Sequence, residues 1–223
     1  MATSQAESRR RRQALAAAAA LLLLERRNKA GLLAALKLPL AHLATRSAGT
    51  DDLQHALTVA GAVAISKLLA GTQSASATRW GKSLAVQTAT ATTIDAGRPV
   101  RLASKIAANW RKGYEASLPG ANSHREAATG ALKDISYQVD RIATTETVRA
   151  WNDEVVRQNG IAVSRGLVVV ETWDAMLDTR TCPACSSLDR TSVTRPAMFV
   201  DYPPIHANCR CLITTEVYDR EAA

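Results

Sequence analysis

All four cysteines of this 223-residue chain fall between Cys182 and Cys211, in two close pairs with a histidine beside the second. Cys182-Pro-Ala-Cys185 is a C-x-x-C pair; some 20 residues on, His206-Ala-Asn-Cys209-Arg-Cys211 adds two thiols and an imidazole. Gly166-Leu-Val-Val-Val-Glu-Thr-Trp173 and Cys211-Leu-Ile-Thr-Thr-Glu-Val-Tyr218 flank the cluster and read as strands, being β-branched and, in the first case, bounded by glycine. The stretch between them carries Pro183, Pro196, Pro203 and Pro204 and reads as loop. Two strands and a knot of loops bury little apolar surface, so such a unit needs a disulfide or a metal to hold it. Zinc takes four tetrahedral ligands from Cys sulfur and His nitrogen, and two knuckles at this separation suit it. Five candidates are present: Cys182, Cys185, His206, Cys209 and Cys211. The four cysteines are the favoured set, with His206 as the spare or as a replacement for one of them. Two disulfides and four unliganded thiols are the alternatives; the chain reads as cytoplasmic, where thiols stay reduced. A closed four-ligand zinc site is structural rather than catalytic.

The rest of the chain has a different character. Its hydrophobic fraction is 47%, but only 4% is aromatic, and alanine and leucine supply much of the remainder. That bias favours helix over sheet. The expected fold is therefore mainly α: an extended helical N-terminal region, then a small α+β domain with a short antiparallel sheet and a zinc knuckle. Charge divides the chain in the same place. Residues 1–120 carry 17 Lys/Arg against 6 Asp/Glu, and residues 121–223 carry 11 against 14. We therefore expect a basic region, 1–120, and a second domain, 121–223. The basic region could meet an acidic partner or nucleic acid, or could simply present a solvated face. Its candidate contacts are Arg9, Arg10, Arg11, Arg12, Arg26, Arg27 and Lys29.

Local punctuation predicts the elements. Residues 1–8 read as disordered. A helix is expected from Arg9 to Leu38, with Gly31 as a break and Pro39 ending or bending it. Asp51 and Asp52 open a second helix that Gly71 should stop. Thr72 to Thr78 reads as a loop, Leu84 to Thr93 has little to fix its structure, and Asp95-Ala-Gly-Arg-Pro99 reads as a turn. A third helix is expected over Val100 to Ala116, ended by Pro119-Gly120. Ser123-His-Arg-Glu126 has the form of a capping box. The long helix it opens should reach Gln158, with Gly160 just past its end and Ile135, Val139, Ile142, Val148, Trp151 and Val155 close to one face. No segment is a convincing membrane span. The longest apolar run, Ala14 to Leu24, is 11 residues, against about 20 for a bilayer. It imitates a secretory signal, but a charged stretch follows it instead of a small-residue cleavage site.

Several residues invite enzymatic readings. His124-Arg-Glu126 with the later Cys182-Pro-Ala-Cys185 imitates the H-x-E and P-C-x-x-C of zinc deaminases. Thr181 stands where proline is required, the separation is long, and Glu126 is explained by the capping box. Asp178 and Asp189 could form an acid/base pair; hydrogen bonds to loop amides or pairing with Arg180 and Arg210 explain them better. His42 and His55 read as ordinary helix residues, and Trp80 and Trp110 as core or interface anchors. No phosphate-binding glycine loop and no supported Ser/His/Asp set is present. We expect no enzyme.

Residues from about Ile142 to Thr215 resemble the Mu F-like and SPP1-type phage head morphogenesis family of minor capsid proteins. Ala143-Thr-Thr-Glu146 with Trp151-Asn152 resembles the family's A-R-T-E…N helix. Glu171-Thr-Trp173 through Asp178-Thr-Arg-Thr-Cys182-Pro-Ala-Cys185-Ser-Ser-Leu-Asp189 resembles its W-x-x-x-x-D-x-R-T-C-x-x-C-x-x-L-D-G signature. Pro203-Pro-Ile-His206-Ala-Asn-Cys209-Arg-Cys211 resembles its P-P-x-H-P-N-C-R-C ending. Arg190 stands where the family usually has glycine, Ala207 where it has proline, and Thr144 where it has arginine. The resemblance implies a low-copy, non-enzymatic virion protein, in the capsid interior or at the portal vertex, and in the host cytoplasm during assembly. The implied partners are the portal protein, the major capsid or scaffolding protein and packaged double-stranded DNA, with no membrane. No toxin or ADP-ribosyltransferase extension is expected after Ala223.

Overall fold

In the computed structural model the described residues are 2–43, 49–84, 95, 97–176, 178 and 181–219. Among these residues the fold is mainly helical, with six α-helices and a small antiparallel sheet. The helices are α1 (Ala2–Leu43), α2 (Thr50–Leu84), α3 (Gly97–Ser117), α4 (His124–Asp134), α5 (Ser136–Ser164) and α6 (Pro183–Leu188). The strands are β1 (Val168–Asp174), β2 (Ser192–Thr194) and β3 (Leu212–Tyr218), in the order β2-β1-β3. Register pairs Glu171 with Val193 on one side and Thr215 on the other.

Helices run longer than the punctuation suggests. α1 starts at Ala2 instead of near Arg9, where Ala2, Gln5, Ala6 and Glu7 are good helix formers. It passes through Gly31, where nothing lies within reach of an added Cβ, and through Pro39. α2 passes through Gly71 and the whole of Thr72 to Thr78. Those small polar residues form a packing surface, not a loop: Thr72, Gln73, Ser76 and Ala77 are buried. The Ser76 hydroxyl donates to the Trp151 carbonyl at 2.9 Å. The stretch after Leu84, through Thr93, lies outside the described residues.

Further on, Asp95 caps α3: its side chain accepts the Gly97 N–H at 2.9 Å and its carbonyl the Arg98 N–H at 3.0 Å. The Arg101 guanidinium beside it, and then that Gly97 bond, hold the Asp95 carboxyl below the usual range. Ser123 caps α4, accepting from the Glu126 N–H at 3.1 Å, while the Glu126 carboxylate reaches back to the Asn122 N–H at 2.9 Å. The expected single helix is interrupted at Ile135 (φ −86°, ψ 0°), although i→i−4 bonds continue across it. Gly160 lies inside α5, not past its end. The helix stops at Gly166 (φ +85°), where Gly166 N–H reaches the Val163 carbonyl and Leu167 N–H the Ala162 carbonyl. That paired closure needs a left-handed residue, which glycine supplies.

Two compact units emerge, each assembled from separate stretches of chain. The first contains Met1–Leu24, Ala70–Thr92 and Thr144–Ala223; the second Glu25–Leu69 and Thr93–Ala143. In the second, Leu32, Leu36, Leu57, Ile65, Ile106 and Trp110 are buried. Gly61 lets α2 and α3 approach closely, since a Cβ there would stand 3.1 Å from that of Ala103. Trp110 stacks on Tyr114 and donates its indole N–H to the Ala128 carbonyl. In the first, Leu21, Trp80, Val148, Trp151, Trp173 and Ile213 pack around three of the four cysteines. Thr50–Trp80 of α2 is long and apolar enough to cross a bilayer, although Gln54, His55, Thr58, Gly61 and Ser66 break it into short apolar runs. Its Leu53, Leu57, Ile65 and Leu68 are buried within the protein, and Lys67 interrupts the stretch.

Candidate metal centre

Cys182 is the N-cap of α6, with Pro183 at the first helical position, and Cys185 closes the first turn; the Cys185 N–H points at the Cys182 sulfur at 3.3 Å. A C-x-x-C on a helix start thus presents both thiols to one side. The facing pair comes from the loop before β3: Cys209, and Cys211 immediately ahead of Leu212. Asn208, in the left-handed region (φ 61°), turns the chain there, and its N–H bonds the Thr145 hydroxyl of α5 at 3.0 Å.

All five sequence-selected side chains converge. Cys182, Cys185 and His206 form one group with ligand atoms within 4.8 Å of one another, and Cys185, Cys209 and Cys211 a second; both share Cys185 and either could hold a metal ion. His206 Nε2 lies 3.2 Å from the Cys182 sulfur and 3.1 Å from that of Cys185. The Cys185 and Cys209 sulfurs are 3.7 Å apart. Tetrahedral Zn–S bonds of about 2.3 Å require sulfurs about 3.8 Å apart. No disulfide joins the four thiols. His206 donates from Nδ1 to the Ala207 carbonyl at 2.8 Å. This is the orientation in which a ligating imidazole offers Nε2 while a backbone carbonyl fixes its tautomer.

The electrostatics also suit a cation. The Cys211 hydrogen bond holds the Cys209 thiol down to about 5. The Cys185 N–H, foremost, lowers Cys182. Burial pushes Cys185 up to about 12, and the bond to Cys209, with burial, pushes Cys211 up. The bond to Ala207, foremost, raises His206. A cluster this tight therefore keeps some thiols protonated unless a positive ion compensates the charge.

Asn152 of α5 holds the frame. Its side-chain amide donates to the carbonyls of Cys211 (3.1 Å) and Pro203 (3.3 Å), and its oxygen accepts the Ile213 N–H at 2.9 Å. The sequence motif flagged this residue without a role. Sequence reasoning missed a second network altogether. Glu171, fully buried in β1, accepts from Asn159 (2.8 Å), Arg195 (2.7 Å) and the Tyr202 hydroxyl (2.5 Å). Burial, reinforced by that carboxylate, pushes Tyr202 up to about 12. A glutamate at an inward position between Val169 and Trp173 was the available clue.

Other residues take structural places. Asp178 pairs with Arg210, and Asp189 accepts the Ala175 N–H at 2.8 Å. Arg180 lies outside the described residues. His124 bonds the Tyr114 hydroxyl at 2.7 Å in the second unit, and Glu126 serves the cap. Trp80 and Trp110 are buried, as expected. Of the basic candidates on α1, Arg11, Arg12, Arg26, Arg27 and Lys29 are exposed and Arg10 is half-buried; the side chain of Arg9 lies outside the described residues. Lys29 pairs with Asp140 at 2.5 Å.

A family model described as phage Mu protein F like protein matches residues 85–214, more than half of the chain and the whole of the cysteine centre. The chain belongs to this family. The family is one of phage head morphogenesis proteins, and its known role is structural. No curated protein and no solved structure matches the chain.

Proposed function

We propose that the protein is a low-copy, non-enzymatic component of a tailed-phage head that acts at the portal vertex during morphogenesis. Family membership over residues 85–214 carries this reading. The centre of Cys182, Cys185, His206, Cys209 and Cys211 then serves as a structural zinc site that staples the start of α6 to the loop ahead of β3. Cys182, Cys185 and His206 are three of the zinc ligands, His206 Nε2 lying within 3.2 Å of both sulfurs, and Cys209 or Cys211, each grouped with Cys185, is the fourth. Bound zinc would supply a fixed tetrahedral node, and Asn152 and Thr145 would hold its loops in place. The portal protein, and a major capsid or scaffolding protein, are the proposed partners, with assembly in the host cytoplasm. Arg9 to Arg12 of the first unit form a proposed contact face toward them or toward packaged DNA, and Arg26, Arg27 and Lys29 of the second unit are proposed contacts of the same kind.

Tagging the protein in assembled particles and locating it by cryo-electron microscopy tests the role. Density at one vertex per head is expected. Even distribution over the shell, or absence from heads at every stage, would overturn it. The second reading is a zinc-containing nucleic-acid-binding module, favoured by the exposed arginines of α1. Duplex affinity that falls steeply with salt, without any vertex density, would select it.

A further inference from the structure

A cavity of about 370 Å³ opens in the first unit, and four arginines line it: Arg10 and Arg11 from α1, Arg190 after α6, and Arg210 beside the cysteine centre. Two carboxylates, Asp174 and Asp189, share the wall. Each has a hydrogen-bond partner outside the arginines. Asp174 accepts from the Thr214 hydroxyl, and burial holds its carboxyl above the usual range. Asp189 takes the Ala175 N–H on one oxygen, and its other oxygen is 3.7 Å from Arg190. Arg210, its side chain only 9% exposed, is oriented by Asp178. Each guanidinium has five N–H donors, so these pairings leave several aimed elsewhere. Leu15, Met176 and Leu212 supply an apolar side to the cavity.

Arg190 is the telling residue. It sits just past α6 with φ 62°, a conformation that favours glycine. An arginine accepts that backbone here, and its side chain reaches the cavity wall.

We propose that this cavity is a phosphoryl-binding site, in which Arg10, Arg11, Arg190 and Arg210 grip a phosphate group while the apolar wall accommodates what it is attached to. Guanidinium forks match phosphate oxygens in geometry and charge. The site deepens the contact-face reading and rests on it for Arg10 and Arg11. It replaces a diffuse basic helix with a discrete pocket. Two sources share the chemistry: a phosphodiester of a DNA strand, and a free phosphate or small phosphorylated molecule.

Titration calorimetry on the full chain, with inorganic phosphate and separately with a short DNA duplex, tests it. Two double variants are compared: Arg11→Gln with Arg190→Gly, and Lys105→Gln with Arg141→Gln, two exposed cations outside the proposed contacts. Each removes two positive charges from the chain. Glycine fits the Arg190 backbone, so folding of the first variant should survive, and circular dichroism checks it. Arg11→Gln alone, on an exposed helix face, is the backup. Saturable phosphate binding is expected, weakened about tenfold or more in the cavity variant and unchanged in the other. If duplex binding also falls selectively in the cavity variant, the source is a DNA phosphodiester; if only phosphate binding falls, it is a small phosphorylated ligand. Equal weakening in both variants, or no saturable phosphate binding, overturns the site. Duplex binding that persists without phosphate binding would leave the contact face standing and remove the pocket alone.

Discussion

Glu171 has no exposed surface, and its partner Arg195 is only 10% exposed. A buried pair of this kind contributes little against well-packed apolar residues, but removing one member leaves an uncompensated charge. Glu171→Gln should therefore cost about 3–5 kcal/mol, read as a lowered thermal midpoint. Glu171→Gln combined with Arg195→Met should recover much of that loss, because the stranded cation is gone. A double variant as unstable as the single one would mean that Asn159 and Tyr202, not the ion pair, dominate at Glu171. Sequence reading reached the cysteines and missed this glutamate for a physical reason. Ligand chemistry is written in residue type and spacing, so Cys182, Cys185, His206, Cys209 and Cys211 stand out. A buried ion pair depends on which positions face inward, and its members are 24 residues apart along the chain.

At the scale of elements, strands were more legible than helix ends. β1 and β3 follow from β-branched runs with nothing competing for them. β2, three residues long, is visible only because β1 offers an edge; it presents no pattern of its own. Gly71 and the small polar residues after it predict a stop for α2, since such residues usually mark one. Burial of Thr72, Gln73 and Ser76 reverses that preference, as tertiary packing often does for weak propensities. α5 shows the converse: its one-faced apolar pattern understated its burial, and polar Asn152, Gln158 and Asn159 are also fully buried. Asn152 links this helix to both sides of the loop that carries Cys209 and Cys211. Asn152→Ala would strand the Ile213 N–H and two carbonyls, costing about 1–3 kcal/mol. As an outer support of the centre, it should also weaken metal affinity about 10–100-fold. Competition with a chromophoric chelator measures that affinity. Unaltered metal retention, with only stability reduced, would confine Asn152 to packing.

For the whole molecule, the units decide what the metal centre holds together. The charge boundary near residue 120 suggests that loss of metal would loosen residues 121–223 and spare everything before them. The packing points elsewhere. Cys185, Cys209 and Cys211 share a buried cluster with Leu21 of α1 and Trp80 of α2, more than a hundred residues upstream. Trp80 is tied further into that unit by its indole N–H on Asn159 at 2.8 Å. The purified chain should contain one zinc per molecule, and chelation should release it, because thiolate and imidazole ligands make binding and folding a single equilibrium. Hydrogen exchange followed by mass spectrometry would then map the damage. Protection should fall in peptides from 2–24, 70–84 and 144–219, and persist in those from 25–43, 49–69 and 97–143. If protection instead fell throughout 121–219 and held throughout 2–84, the chain would behave as the two consecutive domains that its charge suggests. A chain that contains no metal, or that loses zinc without any change in exchange, would remove the zinc site as the staple of the first unit. The contrast is sharpest at Trp80 and Leu132. A charge-based division protects the first and exposes the second, and the packed units require the reverse.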